Sequence, residues 1–158
     1  MLRPIVHTLG LRPCRVFYRD GVFHLALLAG GGFWGILWLT TPIVPLWWSQ
    51  VASWRFASLA LWQPGWEELL FRGVLQGSAR RYAWGRRSWW SISGANVATA
   101  LLFALAHWWT HAPLWATAVL LPGLLFGILR DRYGSVYPAI ILHMFYNAGY
   151  FWLTGLPV

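Results

Sequence analysis

The residues best suited to chemistry in this sequence are two adjacent glutamates in the stretch GWEELLFRGVLQ, which covers residues 65–76. Glu67 and Glu68 are the only glutamates in 158 residues, and tryptophan and leucine flank them. A carboxylate in apolar surroundings can act as a general base, because burial raises its pKa towards neutral pH. Glu68 and Arg72 stand four residues apart, so on a helix they share a face and can pair. Glu67 is rotated by about 100° from Glu68 and is left without that partner.

Further polar residues occur in the apolar stretches that follow. His107 stands four residues after Phe103, and Asn147 stands four residues after His143. Polar groups at membrane depth have to satisfy one another, so we expect them to converge with the glutamates. A carboxylate base, two histidines and an amide are groups that a hydrolase uses. The same groups could instead form a polar cluster that only locks the helices together, and the residue types alone favour neither interpretation.

The composition is that of a membrane protein. Hydrophobic residues make up 58% of the chain and charged residues 10%, with a mean hydropathy of +0.51, whereas a soluble domain is about a quarter charged. The length suits one unit over residues 1–158. We therefore predict an all-α, polytopic membrane helix bundle of about five to six helices, with a polar site inside the membrane.

Charge and cysteine content argue against nucleic-acid binding and against a disulfide or cysteine-based metal site. The net charge is +8, and all 12 basic residues are arginines that lie in short segments between apolar runs. This distribution indicates membrane topology and gives no basic patch for a nucleic acid. A single cysteine, Cys14, excludes an internal disulfide and a cysteine-based metal cluster.

Charge-free runs predict which helices cross the hydrocarbon layer, which is roughly 30 Å thick. Between the first two predicted spans, residues 22–40 and 92–109, the sequence predicts two further helices, at 49–63 and 66–81. Glycines at 30–32 and at 35 indicate close helix packing in the first span. The predicted spans are residues 22–40, 92–109, 114–129 and 136–153, and the crossing that carries the glutamates completes a five-crossing arrangement.

The arginines predict the orientation. They cluster in residues 1–20, at residues 80–87, and at Arg130 and Arg132. Cytoplasmic segments of membrane proteins carry an excess of basic residues, so we expect all three clusters on the cytoplasmic side. This arrangement requires residues 43–62 to be interfacial or re-entrant, and it places the C-terminus outside the cytoplasm. The run after residue 20 is too long for a signal peptide and is interpreted as a retained span.

Three motifs give the sequence a resemblance to a known family. EELLFR begins at Glu67, FALAH ends at His107, and HMFYN runs from His143 to Asn147. In this order they are similar to the EExxxR, FxxxH and HxxxN motifs of the CPBP intramembrane proteases, which include the type II CAAX prenyl endopeptidases. The resemblance covers a motif-bearing core of residues 66–149.

The resemblance implies a role for each motif residue. Glu67 would activate the attacking water, with His107 as its partner in holding that water and moving its proton. His143 and Asn147 would stabilise the oxyanion, and Glu68 with Arg72 would form an orienting pair. Phe103, which opens the second motif, would support His107. No cofactor is expected.

The resemblance also implies a substrate and a location. The substrate would be a membrane-anchored or C-terminally processed protein, cleaved within the lipid bilayer. The predicted orientation places the glutamates in the outer half of the membrane, whereas CAAX proteases act from the cytoplasmic side. The expectation is therefore a small sorting-type protease in the cytoplasmic membrane of a bacterium. The sequence does not define an oligomeric state.

Two other functions remain open at the sequence level. Glu67, His107 and His111 could form the ligand set of a zinc-dependent membrane protease, because the histidines are four residues apart. Pro113 follows closely, however, so His111 is expected in a loop at the membrane interface. A non-catalytic scaffold or immunity protein could use the same fold, because fold does not determine activity. A transporter is disfavoured, since no paired repeats are visible.

Overall fold

The computed structural model describes residues 2–157, and for residues 2–5 it describes the backbone alone. Met1, Val158 and the side chain of Arg3 from the predicted arginine-rich segment lie outside the described residues. Most elements are helices, in agreement with the predicted all-α class. Apart from a 3-10 turn at Phe17–Arg19, they are α1 (Leu2–Leu9), α2 (Gly21–Thr40), α3 (Trp48–Val51), α4 (residues 54–79), α5 (Ala83–Arg86), α6 (Gly94–His107), α7 (Pro113–Ala118), α8 (Leu120–Tyr133) and α9 (Tyr137–Thr154).

Helix α4 carries the two glutamates and is one continuous helix, although the sequence predicted separate helices at residues 49–63 and 66–81. It continues through Pro64, which is buried and keeps helical neighbours on both sides. Proline normally kinks or ends a helix, because it lacks a backbone N–H and its ring collides with the carbonyl four residues earlier. The prediction of two helices was wrong because the local geometry accommodates this residue.

The accommodation comes from π-helical turns in α4. At Ser58–Trp62 the backbone hydrogen bonds reach five residues back, and the N–H of Gln63 donates to the carbonyl of Ser58. The wider turn changes the position of the carbonyls that the proline ring would meet. A second π-helical stretch at Leu69–Gln76 follows the glutamates. Glu67 and Glu68 therefore lie in a short α-helical segment between two stretches of altered helical phase.

Helix α8 packs against α4 and α6 through its small residues. A Cβ atom on Gly127 would lie 1.8 Å from Oδ1 of Asn96, and one on Gly123 would lie 3.4 Å from the Arg72 guanidinium. Glycine at both positions brings the α8 backbone close enough to bond to side chains of its neighbours. Gln76 Nε2 donates to the Gly127 carbonyl at 3.0 Å. The Asn96 amide donates to the α8 backbone as well, at 3.0 Å from the Leu124 carbonyl.

The first apolar helix packs against α9. Gly30 allows the ring of Tyr146 to approach, since a Cβ atom there would lie 2.4 Å from it. Tyr146 donates to the Ala26 carbonyl at 2.6 Å. The close packing predicted for the glycines of this span is therefore found at Gly30, whereas nothing lies within 4 Å of a Cβ atom built on any of the other three. The core beside this contact consists of Phe23, Ala26, Phe126, Leu129, Ala139 and Leu142.

One end of the bundle collects the basic residues. Arg80, after α4, pairs with Asp131 in α8, and Arg132 donates to Asp20 at 2.8 Å. The hydrogen bond from Arg132 and that from the Val22 backbone lower the pKa of the Asp20 carboxyl group below its usual value. Arg130 is buried and donates to the Thr8 carbonyl at 2.9 Å. The arginine clusters of the sequence therefore meet at the same end of the fold.

Residues 43–53 stay at the other end. The backbone N–H groups of Val44 and Leu46 donate to the carbonyls of Leu153 and Trp152, near the end of α9. Arg55, at the start of α4, bonds to the Pro157 carbonyl in the same region. The chain thus leaves α2 and enters α4 at one end of the bundle. This path fits the prediction for residues 43–53, whereas residues 54–62, which were predicted to be interfacial or re-entrant, form the first turns of α4.

A small hairpin lies between α5 and α6 and was not predicted. Strands β1 (Ser88–Trp89) and β2 (Ile92–Ser93) pair in antiparallel register, with Ser88 opposite Ser93. Ser93 then caps α6 by accepting from the N–H of Asn96. This helix therefore begins two residues later than the predicted span, at Gly94.

Two stretches of the described chain are long and apolar enough to cross a membrane, Gly21–Thr40 and Pro113–Tyr133. They agree with two of the predicted spans. Helix α6, at Gly94–His107, is apolar but shorter. Crossings by residues 92–109 and 136–153 remain predictions.

The arrangement of helix ends leads to a prediction about orientation. Gly85 lies beside Arg80 and Arg86 at the basic end, whereas Thr154 ends α9 at the opposite end. We expect reporter fusions at Gly85 and at the C-terminus to report opposite sides of the membrane, with Gly85 in the cytoplasm. A fusion within residues 43–47 should report the same side as the C-terminus. If Gly85 and the C-terminus lie on the same side, the five-crossing arrangement is wrong.

Candidate active site

The candidate site is built around a buried ion pair on α4. Glu68 and Arg72 are each fully buried, and Arg72 Nε lies 3.3 Å from Glu68 Oε2. This contact is electrostatic and is not a well-aligned hydrogen bond, because neither atom has a hydrogen-bond partner. The spacing of four residues produced the pair, as the sequence predicted.

The guanidinium of Arg72 finds its other contacts on neighbouring helices. Nη2 donates to the Gly123 carbonyl at 2.7 Å. The ring of Phe103 lies 4.8 Å from the guanidinium carbon and that of Phe126 lies 5.4 Å from it. Aromatic faces attract a cation, and desolvation strengthens the attraction. Arg72 therefore holds α4, α6 and α8 in contact at the level of the site.

His143 of α9 lies between the two glutamates. Its Nδ1 is 3.0 Å from Glu68 Oε1, and its Nε2 is 3.7 Å from Glu67 Oε2. The ring stacks on Phe126 with centroids 4.7 Å apart and an interplanar angle of 20°. Carboxylate oxygens accept hydrogen bonds, so the contact with Glu68 places a proton on Nδ1. The lone pair of a neutral ring then faces Glu67, and a proton can be exchanged between Nε2 and that carboxylate.

Glu67 differs from its neighbour in exposure. Its side chain is 21% exposed, whereas that of Glu68 is 0% exposed. The two carboxylate oxygens of Glu68 contact different partners: Oε2 lies next to Arg72 and Oε1 next to His143. Glu67 has one longer contact, at 3.7 Å, with His143. Glu67 therefore reaches the surface of the bundle, whereas Glu68 is enclosed by protein. The two adjacent glutamates have separate environments because they are rotated by about 100° from each other around the helix.

His107 lies at the end of α6 and is half-buried. Its Nδ1 is 2.8 Å from the Phe103 carbonyl, which accepts a hydrogen bond. In a neutral ring Nε2 is then free to accept a proton. The ring centroid of Phe103 lies 4.5 Å from that of His107 and 5.8 Å from that of His143. Phe103, the predicted supporting residue, is thus the apolar group that both histidines contact.

Asn147 lies one turn after His143 on α9. Its Nδ2 donates to the carbonyl of Leu59, at 3.2 Å, in the first π-helical turn of α4. This contact ties α9 to α4 at a level beyond the glutamates. The structure therefore gives Asn147 a backbone partner that the sequence did not predict. Its role at an oxyanion remains a prediction.

The alternative zinc ligand set is not assembled. The rings of His107 and His111 are 5.4 Å apart, but the Nδ1 atom of His111 lies 2.8 Å from Thr110 Oγ1 in an exposed loop. Among residues 2–157, no group of three or more His, Cys, Asp or Glu side chains is placed to hold a metal ion. Glu67, His107 and His111 therefore do not meet as a three-ligand site, and the loop position predicted for His111 is confirmed.

Sequence reasoning missed the polar contacts that continue from Arg72 along α4. Gln76 is fully buried and donates to the Gly127 carbonyl and to Asp131 Oδ1, at 2.8 Å for the latter. Arg80, one turn further, pairs with Asp131. The spacing of four residues between Arg72, Gln76 and Arg80 was a visible signal in an apolar helix. No sequence signal identified Phe126, whose ring stacks on His143.

One comparison with known proteins gives a match. The profile of the family described as type II CAAX prenyl endopeptidase Rce1-like matches residues 47–149, which is more than half of the chain. The matched region contains all three motifs and every candidate site residue. No curated protein and no solved structure matches the chain.

The two glutamates should respond differently to the loss of charge. We expect Glu68→Gln to lower the melting temperature and the membrane abundance of the protein, because it leaves the Arg72 guanidinium buried without a carboxylate. Breaking a buried ion pair in this way costs about 3–5 kcal/mol. Glu67→Gln, the matched control, should leave both quantities near the wild-type values. Thermal unfolding of the two purified variants in the same detergent makes the comparison, and equal losses would contradict the assigned environments.

Proposed function

The chain belongs to the type II CAAX prenyl endopeptidase Rce1-like family, and on this premise we propose that it is an intramembrane endopeptidase in which Glu67 activates a water molecule. The family is one of membrane proteases. The mechanistic proposal is based on the different burial and contacts of the two glutamates. Glu68 is buried and engaged by Arg72 and His143, whereas Glu67 is partly exposed and lies 3.7 Å from His143.

The proposed chemistry uses each group according to its surroundings. Glu67 takes a proton from water, and the water oxygen attacks the carbonyl carbon of the scissile peptide bond. The proton then passes to the leaving nitrogen as the C–N bond breaks. His107, with Nδ1 held by the Phe103 carbonyl, keeps Nε2 available to hold the water or relay that proton.

The oxyanion needs donors that are fixed before the reaction. We assign this role to Asn147, through the second proton of its amide, and to the imidazolium form of His143, which carries a proton on Nε2 as well as on Nδ1; the two residues lie one turn apart on α9 and their side chains are held by contacts to α4. Glu68 and Arg72 act as the orienting pair: Glu68 fixes the tautomer and the orientation of His143, and Arg72 fixes Glu68. No step in this scheme requires a bound metal.

The proposed substrate is a membrane-anchored protein in a bacterial cytoplasmic membrane, cleaved near the middle of the bilayer rather than in the outer half that the sequence predicted. Glu67 lies 13 residues from Trp54, where α4 begins, and 13 residues from Arg80, just after α4 ends, so it is about 20 Å from the basic end at 1.5 Å per residue and near the middle of the helix. The positive-inside rule makes that end cytoplasmic. A C-terminal membrane anchor of an exported protein fits this depth better than a prenylated cytoplasmic terminus.

Replacing Glu67 separates the enzyme from a non-catalytic scaffold. Glu67→Gln keeps the shape of the side chain and removes the base, so we expect cleavage to fall by about 10²–10⁴-fold while membrane abundance is unchanged. The substrate for this test is the membrane protein that accumulates uncut in a deletion strain. If Glu67→Gln restores full processing in that strain, the catalytic proposal fails and the scaffold function is favoured.

Metal analysis tests the remaining alternative. We expect purified, active protein to contain less than stoichiometric zinc and to keep its activity in a chelator, because Glu67, His107 and His111 do not form a three-ligand site. Elemental analysis of the wild-type protein and of His107→Ala makes the test. Stoichiometric zinc that disappears in the variant would establish a zinc protease instead.

A further inference from the structure

A proline leaves one carbonyl of α4 without a backbone donor close to the candidate site. In the π-helical turn at Ser58–Trp62, the N–H of Gln63 donates to the carbonyl of Ser58. Continuing this pattern by one residue would direct the N–H of residue 64 to the carbonyl of Leu59. Residue 64 is proline and has no N–H. The Leu59 carbonyl is therefore open to a donor from another element.

Asn147 supplies that donor. Its Nδ2 lies 3.2 Å from the Leu59 carbonyl oxygen, across 88 residues of sequence. A backbone carbonyl only accepts, so this contact fixes which end of the amide faces α4. The NH₂ group has a second proton, and the amide orientation determines where that proton points. Asn147 is one turn from His143, which contacts both glutamates.

We propose that Pro64 is a positioning residue for the oxyanion group: by withholding its N–H, it keeps the Leu59 carbonyl free to hold the Asn147 amide. This inference rests on the proposed role of Asn147. Any other residue at position 64 would provide a competing donor. In a π-helical turn, residue 64 would donate to Leu59. In an α-helical turn, Gln63 would donate to Leu59, and proline at 64 disfavours that register because its ring would collide with the Ala60 carbonyl.

The position of Pro64 fits this role better than a general requirement for rigidity. Pro64 is fully buried inside a continuous helix and does not end it, although proline inside a helix is normally destabilising. The glutamates follow within one turn, so the same residue adjusts the backbone that carries Glu67 and Glu68. Pro64 acts through Asn147 and does not contact the substrate.

The sequence provides a direct spectroscopic test. It contains two asparagines, Asn96 and Asn147, so labelling of asparagine side-chain amides with ¹⁵N gives two NH₂ pairs. Substitution Asn147→Leu assigns them. Asn96 is the internal control, because it donates to the Leu124 carbonyl at 3.0 Å and has no proline in its contact. The protein is studied as the full chain in lipid nanodiscs.

We expect Pro64→Ala to shift the hydrogen-bonded proton of Asn147 upfield and to increase its exchange with water, while the Asn96 pair stays unchanged. An unchanged Asn147 pair in a folded Pro64→Ala protein overturns the proposal. Pro64→Val restores the N–H and keeps most of the volume of the ring, and should have the same effect. If the Asn96 signals also lose their folded positions in both variants, the ring is required for folding and the positioning role is rejected.

A thermal double-mutant cycle measures the same contact by another route. Asn147→Leu should lower the melting temperature by roughly 2–4 °C in the wild-type background, and by less than half of that value in the Pro64→Ala background. Tyr146→Phe is the matched control, because it removes a hydrogen bond from α9 to the Ala26 carbonyl. Its effect should be equal in both backgrounds. Additive effects of Pro64→Ala and Asn147→Leu would overturn the proposal.

The cleavage rate tests whether the contact between Asn147 and the Leu59 carbonyl contributes to catalysis. Because a small displacement of a catalytic group is costly, we expect Pro64→Ala to reduce the cleavage rate by roughly 10–100-fold with little change in KM. If Glu67→Gln cleaves normally, the proposed function fails, and the amide spectra still decide whether Pro64 holds Asn147. If Glu67→Gln is inactive and Pro64→Ala has a normal rate, the proposed function stands and the positioning role is wrong.

Discussion

A guanidinium without access to water has to find all its partners inside the protein, and Arg72 imposes this requirement on the whole bundle. It is fully buried, forms an ion pair with Glu68 and donates a hydrogen bond to the Gly123 carbonyl. Its guanidinium also lies over the aromatic rings of Phe103 and Phe126. Burying an isolated charge is expensive, so α4, α6 and α8 have to meet around it. Glycine at position 123 is part of the same requirement, because it brings the α8 backbone to within 2.7 Å of the guanidinium.

The ion pair also determines what the adjacent carboxylates can do. Glu68 has one oxygen turned to Arg72 and the other to His143. Its charge is therefore compensated and its position is fixed. Glu67 lies on a different side of the helix, is partly exposed and has one contact with His143 at 3.7 Å. One carboxylate is thus committed to structure so that the other can remain accessible.

The helix that carries these residues combines standard and π-helical turns. Two π-helical stretches enclose the glutamates, and side chains from other helices bond to carbonyls within both. Asn147 donates to Leu59 and Arg130 donates to Arg72, at 3.2 and 3.1 Å respectively. Stretches of this kind change the phase of a helix and open carbonyls that an α-helix would use internally. The π-helical turns of α4 are therefore linked to α8 and α9 by side-chain hydrogen bonds.

The sequence alone determined those features that depend on local spacing and composition. Apolar content predicted a helical membrane protein, and the spacing of four residues predicted the Glu68–Arg72 pair and separated Glu67 from it. Tertiary structure decided the rest. The contact between His143 and Glu68 joins residues 75 positions apart, and the stacking of Phe126 on His143 joins different helices. The hydrogen bond from Asn147 of α9 to the Leu59 carbonyl of α4 also depended on tertiary context, because it joins residues 88 positions apart. Local spacing fixes the face of a helix on which a residue lies, but which faces meet is determined by the burial of charge and apolar surface across the whole fold.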